Sequence, residues 1–89
     1  MIQTAFADAV TATIPVGIMP TDVKVNPITN MIYVTNYADN TVSVINGTNN
    51  TVINTIPVGH TPYGIGVNKK TNMIYVANFD DNTVSVIPG

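Results

Sequence analysis

Apolar and polar residues alternate in short runs along this chain, and the runs break at Asn-rich turns. Between Val10 and Val16, Thr11 and Thr13 are set against Val10, Ala12 and Ile14. A period of two sends successive side chains to opposite faces of an extended backbone. Short apolar-rich runs between polar turns predict further strands over 22–26, 31–36 and 41–45, and again over 52–58, 64–68, 73–78 and 83–87. Strands spaced near ten residues with polar turns between them point to an antiparallel meander rather than βαβ units. No segment holds a helical period long enough to compete.

The turns carry recognisable chemistry. Asn26 to Asn30 and Asn68 to Asn72 read as hairpin loops, with Asn30 and Asn72 placed where a left-handed residue is needed and Asn is tolerated. Ala38-Asp39-Asn40 and Asp80-Asp81-Asn82 close the next hairpins, where short polar side chains can bond nearby backbone N–H groups. Asn46-Gly47-Thr48-Asn49-Asn50 forms a third turn, and its Asn-Gly pair is a strong tight-hairpin signal.

The pattern occurs twice. Pro15-Val16-Gly17 returns as Pro57-Val58-Gly59, and one offset of 42 also carries Thr29–Val34 onto Thr71–Val76 and Asp39–Ile45 onto Asp81–Ile87. Aligning 10–47 with 52–89 gives 24 identities in 38 positions, too many for chance. A period near 42 falls in the range of four-stranded propeller blades. Tyr33-Val34-Thr35-Asn36 and its partner Tyr75-Val76-Ala77-Asn78 then make the resemblance specific. With the preceding Asn-Met-Ile, the following Asp-Asn-Thr-Val-Ser-Val-Ile and the Ile-Pro-Val-Gly, residues 10–89 resemble the YVTN-repeat family of β-propellers. That resemblance implies membership of a ring, commonly of seven blades, in exported or surface-layer-type proteins of archaea and bacteria. This chain departs from the family in holding two repeats rather than a full ring.

The expected fold is therefore all-β: a β-propeller with two four-stranded blades per chain over residues 10–89, preceded by a lead-in over 1–9. Strands 22–26 and 64–68 are assigned innermost, where Gly64 and Gly66 suit crowded backbone near an axis. Tyr33 and Tyr75 are expected to pack between blades. In this assignment 10–16 is an outermost strand without a blade, and 83–87 lacks an outer partner. Such edges invite head-to-tail pairing, so the expectation is a ring closed by homo-oligomerisation with exchange of the N-terminal strand. Four chains would give eight blades, and three chains with six blades are the alternative. An excerpt from a longer propeller would have the same open edges.

Composition narrows the function. With Cys absent, disulfides, thiolate metal sites and CxxC redox chemistry are excluded. Charged residues make up 9% of the chain, with no Arg and a net charge of -2, which provides no footprint for nucleic acid and no polybasic patch for lipid. No apolar run reaches transmembrane length. Ala5-Phe6-Ala7 has the small-x-small pattern of a signal-peptidase site without a basic or full apolar region before it, so residues 1–9 read as a disordered lead-in or the remnant of a signal peptide.

Few residues offer chemistry. Ser43 and Ser85 are repeated mid-strand and read as structural, and no nucleophile motif or phosphate loop is present; no catalytic, cofactor-binding or metal residue is assigned. The Asp80-Asp81-Asn82 and Asp39-Asn40 oxygens lack calcium-loop spacing and read as turn caps. Because strands alternate in direction, Asp39, His60, Tyr63, Asp80 and Asp81 should share one face of the disc, with Lys69, Lys70, Asn46 and Asn49 on the other. Tyr37, His60, Tyr63, Phe79, Asp80 and Asp81 form the candidate ligand face, more suited to a cation than an anion. Asn46 and Asn49 each open an N-x-[ST] glycosylation triplet. The expected function is a non-catalytic, extracellular or cell-surface module that acts as a structural or protein-interaction scaffold, with a protein or glycan partner. The alternatives are a small-ligand or carbohydrate-binding propeller and a fragment of a larger propeller enzyme.

Overall fold

The computed structural model describes residues 8–89. The candidate signal-peptidase site at Ala5-Phe6-Ala7 lies outside the described residues. Seven strands follow in order: β1 (Pro20–Asn26), β2 (Met31–Asn36), β3 (Thr41–Asn46), β4 (Thr51–Pro57), β5 (Pro62–Asn68), β6 (Met73–Asn78) and β7 (Thr83–Pro88). A short 3₁₀ turn, Phe79–Asp81, joins β6 to β7, and among the described residues there is no α-helix. The chain is all-β, with two antiparallel meanders ordered β1-β2-β3-β4 and β5-β6-β7.

The two expected four-stranded units are thus one of four strands and one of three. Residues 10–16, predicted as a strand, are not one within this chain. The reason is visible in the first sheet: β4, the repeat counterpart of this segment, exists because β3 lies beside it and supplies its hydrogen bonds. Residues 10–16 have no such neighbour here, and extended backbone without a ladder is not a strand.

Each sheet is built from the same parts. Pro20 and Pro62 open the first strand of their sheets, where a missing N–H is tolerated. Five four-residue turns then run from an Asn that ends one strand to an Asn four residues on: 26/30, 36/40, 46/50, 68/72 and 78/82. Asn30, Asn40, Asn50, Asn72 and Asn82 all adopt φ between 55° and 59°. Gly47 does not, so the Asn46-Gly47 pair is not the tight hairpin turn expected of it. The left-handed residue of that turn is Asn50, and Gly47 is needed for space, because a Cβ there would lie 2.4 Å from the carbonyl oxygen of Asn30.

The core lies between the sheets. Tyr33, Val42 and Val44 of the first meet Ile65, Ile74, Val76 and Ile87 of the second, flanked by Met31, Ile56, Val58 and Val67. β5 lies against β1 and β2, so the first strands of the two sheets are neighbours. Polar contacts register this junction. Thr35 Oγ1 donates to Tyr63 O at 2.9 Å, and Ile65 N–H donates to Asp22 Oδ2 at 3.0 Å. Asn26 Nδ2 donates to Asn72 Oδ1 at 2.7 Å. The crowding expected at Gly64 and Gly66 is not found, since a Cβ on either would meet nothing within 4 Å. Tyr33 packs between the sheets as expected, but Tyr75 is left on the outer face of the second.

Candidate functional site

The segment that enters each sheet is held by a latch made from the repeated motif. Asn36, last residue of Tyr-Val-Thr-Asn, is fully buried. It accepts from Gly17 N–H (3.1 Å) and donates to Thr41 Oγ1 (3.1 Å) and Ser43 Oγ (2.9 Å). Asn78 repeats this set on Gly59, Thr83 and Ser85. The glycines of the two Pro-Val-Gly triplets are required for space, because a Cβ at Gly17 or Gly59 would fall 2.5 Å or 2.6 Å from the amide carbon of that Asn. Ser43 and Ser85 thus receive hydrogen bonds from an amide in the interior of the repeat.

The Asp residues complete the latch. Asp39 Oδ2 accepts from Ile18 N–H, and Asp81 Oδ2 from His60 N–H, both at 2.8 Å. His60 Nδ1 also lies 2.9 Å from Asp81 Oδ1. The His60 backbone N–H first, and then its ring, hold the Asp81 carboxyl below the ordinary carboxylate pKa. Thr61 Oγ1 donates to Asp80 Oδ2, and Thr61 N–H donates to Asn40 Oδ1 at 2.9 Å. Thr61 is held at φ 59°, an unusual state for a β-branched residue, and its counterpart Met19 is at φ 57°. The sequence reading missed both, although the repeat alignment places them at the same step.

The latch fixes three aromatic rings at this end of the molecule. Phe79 N–H donates to Thr61 O (3.0 Å) and Tyr37 N–H to Met19 O (2.9 Å), while Tyr63 follows directly in β5. The Tyr37 and Tyr63 ring centroids are 6.3 Å apart with planes at 71°, and those of Tyr63 and Phe79 are 6.4 Å apart at 42°. Between them lies a half-open cavity of about 250 Å³ lined by these three side chains. All six candidate ligand-face residues therefore sit in the two neighbouring turns and the strand entry that this latch joins. Lys69 and Lys70 are in the turn between β5 and β6, at the opposite end of the strands.

Of the two glycosylation triplets, Asn46 ends β3 and turns its Oδ1 onto Thr48 N–H at 2.9 Å. Asn49 is exposed, and its Oδ1 accepts from Thr51 Oγ1 at 2.7 Å.

No protein-family model matches the chain. Over 34 residues it is 65% identical to the PE-PGRS family protein PE_PGRS18 of Mycobacterium tuberculosis, a stretch that covers 38% of this chain and 7% of that protein.

Proposed function

We propose that the chain is a non-catalytic propeller module of YVTN-repeat type. Its copies stack head to tail, four chains closing an eight-bladed ring, and the ring serves as an extracellular or cell-surface scaffold for protein or glycan partners; a six-bladed trimer is the alternative. One observation carries the assembly. The side chains that make the junction on the first sheet recur on the second, with nothing among the described residues to cover them. Tyr33, Val42 and Val44 are 3%, 0% and 6% exposed, whereas Tyr75, Val84 and Val86 are 38%, 59% and 55% exposed. The complementary side is open too, with Val23 57% exposed where its counterpart Ile65 is 7% exposed.

Covering three such side chains contributes on the order of 1.5 kcal/mol or more for each one fully buried. That sum is offset by the loss of rigid-body freedom on association. Strand exchange adds a ladder. The N-terminal segment is already latched at Gly17 and Ile18, as β4 is followed by a latch at Gly59 and His60. Transposing the β3–β4 register by one repeat pairs Thr83 with Pro15, Val84 with Ile14 and Ser85 with Thr13 of another copy. Asn40 receives Val58 N–H on its carbonyl and Thr61 N–H on its side chain, and Asn82 would receive Val16 and Met19 of that copy in the same way. The extracellular setting is supported by the exposed Asn49 triplet and the low charge.

The chain has no cysteine, so the register is directly testable. The double substitution Ile14→Cys with Val84→Cys should cross-link copies under oxidation, while Thr13→Cys with Val84→Cys should not. The native mass should be about four times 9.5 kDa. A folded wild-type monomer, or equal cross-linking by both pairs, defeats the reading.

A further inference from the structure

We propose that Tyr37, Tyr63 and Phe79 form a cup for the trimethylammonium group of a small free solute. The rings do not share a plane: at 71° and 42° to one another they stand as walls around the cavity of about 250 Å³ rather than as a platform. A flat sugar needs one broad open ring face, whereas a compact, nearly spherical group can touch several tilted walls at once. The negative faces of aromatic rings attract a cation within about 6 Å of their centroids. With centroid spacings of 6.3 Å and 6.4 Å, a group seated in the cavity over two neighbouring rings lies within that reach of both.

Charge points to the same occupant. Asp39, Asp80 and Asp81 lie in the turns that carry Tyr37 and Phe79, and Lys69 and Lys70 lie at the other end of the strands. Among these turns His60 is the basic group, and it is set against Asp81. Each carboxylate is already engaged, Asp39 by Ile18 N–H, Asp81 by His60 and Asp80 by the Thr61 hydroxyl. They therefore supply negative potential more than acceptors for a ligand. A hard metal ion wants six to eight converging oxygens, and a primary ammonium wants hydrogen-bond acceptors. A fully methylated ammonium needs neither and gains from both the rings and the field.

The site is made once in the chain. The counterpart of Tyr63 in the first repeat is Thr21, so the cup belongs to the junction between β1–β4 and β5–β7 and would not recur between copies. It lies within one chain and holds whether or not copies assemble.

Choline and tetramethylammonium, titrated into the intact protein and followed by ¹H NMR, should show upfield shifts of their methyl signals and saturable shifts of Tyr and Phe ring protons. The neutral isostere 3,3-dimethylbutan-1-ol should bind at least tenfold more weakly. Tyr63→Thr, which installs the first repeat's own residue, should remove binding of choline while leaving the melting behaviour within a few degrees. Val86→Asp, directed at the outer face of the second sheet, should leave choline binding unchanged even where it alters the native mass. Equal binding of the neutral isostere, or unchanged choline binding by Tyr63→Thr, overturns the assignment.

Discussion

At the residue scale the molecule depends on asparagine in two separate roles. One is conformational: five Asn residues close their turns in the left-handed region, where a side chain with Cβ is ordinarily disfavoured and Asn is tolerated. Asn50 shows this role most simply, being exposed at the end of its turn with its backbone N–H donating to Asn46 O at 2.8 Å. Asn50→Ala should therefore lower stability by about 1 kcal/mol, while Asn50→Gly should cost nothing or raise it slightly; urea denaturation of the two variants separates them. The other role is bonding, in the buried Asn36 and Asn78. Both could be read as motif letters, but their work could not, because the partners lie 19 residues upstream and five and seven downstream. Asn30 and Asn72 were legible as left-handed. Asn40, Asn50 and Asn82 obey the same spacing, but the Asn-Gly pair points the third turn to Gly47, and the Asp-Asn pairs at 39–40 and 81–82 read first as side-chain caps.

At the scale of elements, every expected strand that has a partner forms, with its ends unmoved or moved by one or two residues. The exception is instructive. Residues 10–16 have the alternation of a strand and almost the sequence of β4, yet alternation reports only which faces a backbone could present. A strand is completed by a neighbour's N–H and C=O groups. The latch is the second lesson, because it joins a segment before a sheet to the turn between its second and third strands. Removing it with Asn36→Ala leaves Gly17 N–H and two hydroxyls without their partner, at a cost of about 2 kcal/mol or more. Thermal denaturation should record that loss, and hydrogen exchange at Gly17 and Ile18 should rise more than at β2 amides.

At the scale of the whole molecule, the junction between sheets joins an apolar core to a few polar pins, and one of them titrates. Burial raises the Asp22 pKa, but hydrogen bonds from Ile65 and Val23 and the Lys24 ion pair at 3.0 Å outweigh it and leave the carboxyl below its ordinary value. A carboxyl whose folded pKa is depressed contributes stability above its unfolded pKa of about 4, and loses it as pH falls from there through the folded value. Melting temperature should therefore drop in that window, and Asp22→Asn should flatten the drop. A wild-type acid limb identical to that of Asp22→Asn would remove this pin from the junction's account.

The sequence alone determined the all-β class, the period of 42, seven of the strands and the end-to-end placement of the turns, because alternation, turn chemistry and repetition are local or self-referential signals. What it could not determine is which copies of a repeated residue are covered. Val42 and Val84 are identical in neighbourhood for several residues on either side, yet one is enclosed and the other open. Likewise Tyr37, Tyr63 and Phe79 carry no spacing that announces a cup. Coverage and convergence depend on which surface a second sheet lies against, and that was decided only when β5 settled against β1 and β2, bringing residues some forty positions apart into one core and one mouth.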